Sequence, residues 1–164
     1  MDWIDELSAA WKREYRGLDT GGLPPLVRLA RLGVLIESFQ DEVLEPFELA
    51  ANDYSVLATL RRAGPPYVLS PSDLTSRLHR SSGGMTKILK RLEERGLVRR
   101  APDPVDGRGS RVSLTRAGRD LQDRIFNAFL SSASDLFAPI GPSKVREIDR
   151  SLRSLVHVFE DALS

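Results

Sequence analysis

The stretch SSGGMTKILKRLEERGLVRRAPDPVDGRGSRVSLT spans residues 81–115 and decides the fold. Apolar residues in its first half recur at i, i+3, i+4 and i+7, which is the spacing of one face of an α-helix. These residues are Met85, Ile88, Leu89 and Leu92. The pattern predicts a helix whose apolar stripe faces a protein core.

The residues between these apolar positions project to the opposite side of the predicted helix. They are Thr86, Lys87, Lys90 and Arg91. The helix also has recognisable ends, because Ser81 or Ser82 can cap its first turn and Gly96 suits the left-handed residue after its last turn. The sequence therefore predicts a helix that presents a cationic, hydrogen-bonding face to a partner.

After Gly96 the pattern changes to the alternation of β-strands, with Val112 and Leu114 on one face and Arg111 on the other. The intervening APDPVDGRGS holds two prolines and two glycines, which favours a long exposed turn. A helix followed by a basic hairpin is typical of a winged helix. In that arrangement the helix enters a DNA major groove, and Arg108 at the tip reaches an adjacent minor groove or a phosphate.

Charge is distributed unevenly along the chain. From Arg77 to Arg119 the sequence holds 12 Lys or Arg and 4 Asp or Glu, a net charge of +8. Because the whole chain carries +1, the remainder carries −7. Any one of these cations is typical of an ordinary solvated helix face. A cluster of this size favours a polyanionic partner.

Composition excludes several other classes of function. The 164 residues are 41% hydrophobic and 29% charged, which predicts one ordinary globular domain. The absence of cysteine excludes disulfides, thiolate metal sites and cysteine nucleophiles. His79 and His157 are the only histidines and no catalytic motif surrounds them. We expect no enzymatic activity, no cofactor and no metal.

The N-terminal residues are not expected to form a signal peptide. The N-terminus MDWIDELSAAWKREYRG is acidic at its start and lacks the apolar core of a signal peptide. No apolar run approaches the roughly 20 residues of a membrane span. We expect a cytoplasmic protein without membrane contact.

Two helices are predicted ahead of the winged region. Residues 2–16 place Trp3 and Trp11 on an amphipathic helix, and Pro24 and Pro25 suit the first turn of a long helix over 26–44. Pro46 ends that helix. The tryptophans are interpreted either as packing anchors or as part of a ligand pocket.

The winged region begins with two further short helices. Asn52 or Asp53 is expected to cap the first, and Ser70 or Ser72 the second. The turn HRSSG then leads into the basic helix. Two short helices ahead of a basic one are typical of a helix-turn-helix.

Two long helices follow the hairpin. Thr115 is expected to cap the first, and Gly141 with Pro142 separates it from the second. The second helix has apolar residues at alternating spacings of three and four, namely Val145, Ile148, Leu152, Leu155 and Phe159. This surface exceeds the needs of a small winged helix, so we expect a dimer interface. Packing within a bundle of the same chain is the alternative.

The segments SSGGMTKILKRLEERGLVRR and DPVDGRGSRVSLTRAG resemble the MarR (multiple antibiotic resistance regulator) family of bacterial transcription factors. Asp106 and Arg108 match its D-x-R wing motif, and Leu114, Thr115 and Gly118 match its L-T-x-x-G motif. The resemblance extends over essentially the whole chain. It implies a homodimer whose recognition helices enter successive major grooves of a palindromic operator, while wing arginines touch minor grooves.

The fold class implied is mainly α: a winged helix-turn-helix with long N- and C-terminal dimerisation helices and one small β-hairpin wing. A single MarR-like domain is predicted over 1–164. Its N-terminal helices, with the dimerisation surface and ligand pocket, occupy 1–48. The winged helix-turn-helix occupies 49–115, and C-terminal dimerisation helices occupy 116–164.

The tryptophan-bearing first helix resembles the MarR subgroup that responds to urate and similar metabolites. That resemblance implies a ligand site made of a tryptophan, an aspartate and two arginines. Trp11 and Arg100 match two of these positions. Ser55, with Asp53 nearby, stands where the subgroup has aspartate, and Ile88 stands where it has the second arginine. Trp11, Ser55 and Arg100 are the candidate effector site, for a ligand less acidic or more apolar than urate. A packing role for the three is the alternative.

The resulting hypothesis is a DNA-binding repressor released by a small organic effector. The residues expected at the DNA are Ser81, Ser82, Gly83, Thr86, Lys87, Lys90, Arg91, Arg108 and Arg111. The alternative is a winged helix that serves only as a protein-interaction module. A hydrophobic outer face on the basic helix would favour that alternative.

Overall fold

The computed structural model of the chain describes residues 3–103 and 109–163. The chain divides into two compact units, Met1–Ala51 and Asn52–Ser164. In the described part no helix combines the length and low polarity needed to cross a membrane.

The first unit is a helical pair. Helix α1 spans Trp3–Glu14, helix α2 spans Leu23–Leu44, and a single 3-10 turn follows over Glu45–Phe47. Helix α1 packs on α2, and Asp5 joins them through an ion pair of 2.6 Å with Arg28. As predicted, α2 carries proline in its first turn, although it begins at Leu23 rather than Leu26.

The second unit is a winged helix-turn-helix followed by two long helices, so the predicted fold class is confirmed. Its elements are α3 (Ala51–Arg62), β1 (Val68–Leu69), α4 (Pro71–Arg77), α5 (Ser82–Glu94), β2 (Val98–Pro102), β3 (Ser110–Leu114), α6 (Arg116–Phe137) and α7 (Pro142–Leu163). The two short helices and the basic helix thus occur in the predicted order.

The wing is a three-stranded antiparallel sheet in the order β1-β3-β2. Val98 lies opposite Leu114 and Arg100 opposite Val112, which places the predicted apolar residues of β3 on the covered face. The sequence pattern did not indicate β1. Its two residues are too few to show an alternation, and only their pairing with Ser113 and Val112 defines them as a strand.

The core of the second unit is built around α5. Its four stripe residues are nearly fully buried, with Met85 and Leu89 at 1% and Leu92 at 0% exposure. The other side chains in this core include Val56, Leu57, Leu60, Leu74, Val112 and Ile125. The predicted stripe is therefore the centre of the winged unit.

Side-chain caps define where three helices start. Ser70 and Asp73 form a reciprocal capping box at α4, and Ser81 caps α5 by accepting a bond from the Gly84 amide at 3.2 Å. Thr115 caps α6 by accepting from the Gly118 amide at 3.0 Å. These predicted caps are confirmed.

The cap predicted at Asn52 or Asp53 is wrong. Helix α3 already begins at Ala51, so both residues lie in its first turn. The Asp53 side chain is turned inward and its carboxylate binds a guanidinium of α5. An ion pair with a distant cation has replaced the local bond to the backbone.

Gly118 allows α6 to pass the end of α5 at very short range. A Cβ at this position would overlap the carbonyl oxygen of Leu97, and Leu97 is itself buried. Thr115 ties the same point, because its hydroxyl donates to the Gly96 carbonyl at 2.7 Å. Glycine and threonine of the L-T-x-x-G motif thus hold the turn after α5 against the start of α6.

The last helix of the chain buries almost nothing by itself. No residue of α7 is buried, and Leu152, Val156 and Phe159 are at least 40% exposed. The end of α6 is similar, with Leu136 and Phe137 exposed. In the first unit, Leu32, Leu35 and Ile36 of α2 are exposed as well.

Replacing Gly118 with alanine tests the close contact with Leu97. We expect Gly118→Ala to lower the free energy of unfolding by about 3 kcal/mol, because the added methyl meets rigid backbone rather than a flexible side chain. Urea unfolding followed by circular dichroism measures the change. The control is Gly83→Ala, where a Cβ meets open space and about 0.5 kcal/mol should be gained. Equal stability of the two variants would contradict the role given to Gly118.

Candidate nucleic-acid interface

The outer side of α5 is an exposed polar surface. Burial of the apolar stripe forces the intervening positions outward, as predicted. The exposed residues of this surface, here named the α5 outer face, are Ser82, Gly83, Thr86, Lys87, Lys90 and Arg91. The structure thus presents hydroxyls, a backbone segment without a side chain and three cations on one side of a helix.

The turn into α5 is held by hydrogen bonds. The backbone amide of His79 donates to Ser76 and that of Arg80 donates to Thr75. His79 has a positive φ of 48°, which lets the chain reverse between α4 and α5. The hydroxyl oxygen of Ser81 accepts the capping hydrogen bond from Gly84. Ser81 therefore fixes the residue at which α5 begins.

The outer-face residues differ in what they can offer. The Thr86 hydroxyl donates to the Ser82 carbonyl at 2.9 Å, which leaves its oxygen lone pairs facing outward. Lys87 is exposed, and Lys90 makes only a loose pair of 3.7 Å with Glu94 between two well-exposed side chains. Such a pair contributes little, so both ammonium groups are accessible to a polyanion.

Arg91 is bound differently from these lysines. Its Nη2 and Nε donate to the two Asp53 carboxylate oxygens at 2.5 and 3.2 Å. The Asp53 side chain is only 7% exposed, whereas that of Arg91 is 48% exposed. The hydrogen bonds to Asp53 raise the pKa of Arg91 above its ordinary value, although partial burial opposes the rise. Arg91 therefore lies on the outer face while its guanidinium is anchored to α3.

A cleft of about 400 Å³ opens beside this ion pair, between the start of α3 and the start of α5. Arg80 crosses it and donates to the Asn52 side chain at 2.6 Å. The lining residues are Asn52, His79, Arg80, Ser81, Gly84, Lys87, Ile88 and Arg91. The cleft is cationic on its α5 side, and Ile88 is the one residue of the apolar stripe among those that line it.

The wing is braced at its base. Arg111 donates to the Asp103 carboxylate at 2.6 Å, and the Asp103 amide donates to the Gly109 carbonyl at 2.9 Å. The Asp103 bond holds the pKa of Arg111 above its ordinary value. Arg111, which the sequence predicts to contact DNA, thus holds the base of the hairpin together. Arg108, the predicted wing finger, lies outside the described residues.

The predicted effector residues fall in different units. Trp11 lies on α1, is 41% exposed and contacts Tyr15 with ring centroids 5.3 Å apart. It lines a small apolar cleft of about 50 Å³ between α1 and α2. Ser55 is half-buried on α3 of the second unit. A packing role for Trp11 fits this contact with its own unit.

Arg100, the remaining effector candidate, is already engaged. Its side chain binds Glu93 at 2.8 Å and its amide donates to the same carboxylate at 3.1 Å. These bonds lower the pKa of Glu93. Ile88, which stands at the subgroup's arginine position, belongs to the buried stripe with 6% exposure. An effector carboxylate would compete with Glu93 for the Arg100 guanidinium.

The other groups that could carry chemistry are metal ligands and the two histidines. Within residues 3–103 and 109–163 no three His, Asp or Glu side chains are grouped as metal ligands would be. His157 lies on α7, exposed and 3.7 Å from Glu160. His79 lies at the rim of the cationic cleft.

Asp53 is the site residue that the sequence pattern misassigned. One signal was present: Asp53 is the single acidic residue between Glu48 and Asp73. A lone carboxylate within the apolar run of α3 needs a partner when buried. The identity of that partner, 38 positions further along the chain, depends on how α3 meets α5.

The sequence and fold of this chain are similar to those of known transcriptional regulators. Residues 48–109 match the family model described as MarR family. The HTH-type transcriptional regulator PecS of Dickeya dadantii is 32% identical over 83% of this chain and 82% of its own length. AbsC, a MarR family transcriptional regulator from Streptomyces coelicolor, shares the fold with a TM-score of 0.75 at 23% identity, over 90% of this chain and 99% of its own.

A solved complex is also similar. A mutant of MarR from E. coli complexed with operator DNA superposes with a TM-score of 0.67 at 25% identity, and covers 80% of this chain and 95% of its own.

The capping box of α4 makes stability depend on pH. Asp73 accepts from the Ser70 hydroxyl at 2.7 Å and from the Ser70 amide at 3.0 Å, and these bonds lower its pKa below the ordinary 3.8. Its ionised form therefore contributes stability above pH 3.8, and the contribution is lost as the pH falls through the lowered folded-state value.

We expect Asp73→Asn to cost about 0.5 kcal/mol at pH 7, a modest value because the group is exposed, and to cost progressively less towards pH 3. Thermal unfolding at a series of pH values measures the difference. Asp120→Asn, which removes an exposed carboxylate 3.9 Å from Arg116, is the control and should change little at pH 7. A constant cost of Asp73→Asn at all pH values would contradict this assignment.

Proposed function

Since this chain belongs to the MarR family of transcriptional regulators, we propose that it is a homodimeric repressor that binds a palindromic operator and is released by a small organic effector. It is a transcriptional regulator rather than an enzyme. For a regulator of this kind we expect a location in the bacterial cytoplasm, with the DNA it regulates.

The observation that carries the DNA-binding role is the α5 outer face. A buried stripe fixes the helix on the winged unit, and Lys87 and Lys90 point away from it. Phosphate contacts by such side chains supply most of the affinity of a protein for DNA. The MarR mutant solved with operator DNA supports the same use of a similar fold.

We assign different tasks to the residues of this surface. Thr86 and the backbone near Ser82 and Gly83 are suited to approach base edges and phosphates, whereas Lys87 and Lys90 are suited to phosphates. Ser81 places the start of α5. Arg111 braces the wing that carries Arg108, and Arg108 is proposed to reach the minor groove.

The homodimer is proposed from unpartnered apolar surface. Helix α7 repeats apolar residues along one side, yet none of them is buried within the single chain. A helix with this pattern is stable when a second apolar surface covers it. We propose that the helices within 116–164 and 1–48 pair with those of a second copy, leaving 49–115 to bind DNA.

The effector role is proposed from the resemblance to metabolite-responsive regulators. Trp11, Ser55 and Arg100 remain the candidate contacts. Because Glu93 neutralises Arg100, a ligand that relies on apolar contact with Trp11 fits better than a strong acid. Such a ligand releases DNA only if it prefers a conformation that fits the operator poorly.

Removal of the two lysines tests DNA binding. We expect Lys87→Gln/Lys90→Gln to weaken binding to the intergenic DNA beside the protein's own gene about tenfold at moderate salt. The slope of log K against log salt should become shallower by up to about 3.6, since up to four phosphate contacts, worth about 0.9 each, are lost per dimer. Fluorescence anisotropy of labelled duplexes at several salt concentrations measures both quantities.

The matched control is Lys144→Gln, which removes a cation of α7 that pairs with Glu147 at 2.8 Å. It should leave affinity and salt slope unchanged. If the wild-type protein binds native and scrambled duplexes equally weakly, the DNA role fails and the protein-interaction module is favoured.

Charge placed on α7 tests the homodimer. At about 100° per residue, Val156 lies within about 60° of Leu152 and Phe159 around the helix, whereas Val158 is turned at least about 100° from each of these two residues. Both valines are more than half exposed. We expect Val156→Glu to convert a dimer to monomer and Val158→Glu to leave it intact, as measured by light scattering during gel filtration. A wild-type monomer at micromolar concentration would exclude the proposed dimer.

A further inference from the structure

Two consecutive residues of α3 hold two cations of the helix-turn-helix. Asn52 accepts from Arg80, which lies in the turn before α5. Asp53 accepts from Arg91, which lies in the last part of α5. The first turn of α3 is thus bonded to α5 at two points. One is Arg80, just before α5 begins, and the other is Arg91, in the last part of α5.

The bond at Asp53 has the properties of a fixed attachment. A carboxylate with 7% exposure is costly without a partner, so the ion pair persists in the folded protein. Asp53 engages the Nε and Nη2 atoms together, which sets the plane of the guanidinium. The remaining N–H groups of Arg91 belong to a side chain that is 48% exposed, so they face outward in a defined orientation.

The same bond prevents Arg91 from moving freely towards a phosphate, as an unpaired surface cation can. A buried negative charge at hydrogen-bonding distance offsets the attraction of this guanidinium for a distant phosphate. Lys87 and Lys90 have no comparable partner among the described residues, since the Lys90 pair with Glu94 is long and exposed. The outer face therefore carries attracting cations and one positioned cation.

We infer that Asp53 is a positioning residue for DNA recognition, which acts through Arg91 to fix the rotation and height of α5 on α3. This inference rests on the proposed function. Phosphate attraction tolerates a small displacement of the helix, whereas hydrogen bonds to base edges do not. Asp53 thus determines the preference for the operator over other DNA, and it contributes little to affinity for DNA in general.

The experiment compares operator and scrambled duplexes by anisotropy, with Asp53→Asn, Arg91→Lys and the double variant Asp53→Asn/Arg91→Gln. We expect each to lose at least about tenfold of the operator preference, without losing more than about twofold of the affinity for the scrambled duplex. Asp53→Asn is expected to raise that general affinity, because it frees the Arg91 cation from its counter-charge. Arg91→Lys keeps the charge and loses the planar fork, so its loss of preference reports geometry rather than charge.

Thermal unfolding separates recognition from folding. Arg91→Gln leaves Asp53 buried without its partner and should be the least stable variant, whereas the double variant removes both charges and should melt closer to the wild type. We expect this recovered stability without recovered operator preference. Asp123→Asn is the matched control, because it breaks an ion pair of 2.9 Å with Arg61 that joins α3 to α6 instead of α5. It should keep the full preference.

Three outcomes overturn the inference. Variants at Asp53 and Arg91 that retain the wild-type preference would leave no positioning role. An equal loss of affinity for operator and scrambled duplexes would make Arg91 a simple phosphate contact. A wild-type protein without operator preference would overturn the proposed function itself, a result seen before any variant is compared.

Discussion

Burial of one stripe on α5 is the constraint on which the rest of this structure depends. Met85, Ile88, Leu89 and Leu92 each lie at 6% exposure or less. Removing a side chain of this kind from water is worth about 1.5–3 kcal/mol, more than any surface bond on the helix. Once the stripe is buried, the direction of every intervening side chain follows. The polar, cationic α5 outer face is therefore a consequence of the core.

The turn after α5 extends this constraint to the next helix. Gly118 brings the backbone of α6 against Leu97, and Thr115 binds the carbonyl groups of Gly96 and Leu97. Both residues belong to the L-T-x-x-G motif, which from sequence alone predicts only the start of a helix. In the structure they join α5, the wing and α6, since β2 begins one residue after Leu97 and β3 ends one residue before Thr115.

Cations in the winged unit serve two different purposes. Arg91, Arg100 and Arg111 are bound to Asp53, Glu93 and Asp103, and each bond fixes the position of a structural element. Lys87 and Lys90 are exposed without a short ion pair among the described residues. Among these five cations, the three arginines thus brace the structure and the two lysines are accessible. Planar, bidentate guanidinium groups suit the first task, and flexible ammonium groups suit the second.

The sequence by itself determined the helices, the hairpin and the polarity of α5, because periodicity, glycine positions and capping residues act over a few neighbouring residues. Caps were predicted at Ser70 or Ser72, at Ser81 or Ser82, and at Thr115 from residues within one turn of each. The structure has Ser70, Ser81 and Thr115 in these positions. Only the tertiary structure decided which charged groups meet. The partner of Asp53 lies on another helix, β1 exists only through its pairing with β3, and Arg111 braces the wing because Asp103 lies across the hairpin. Contacts between residues distant in the chain depend on how whole elements pack, and no local pattern records that packing.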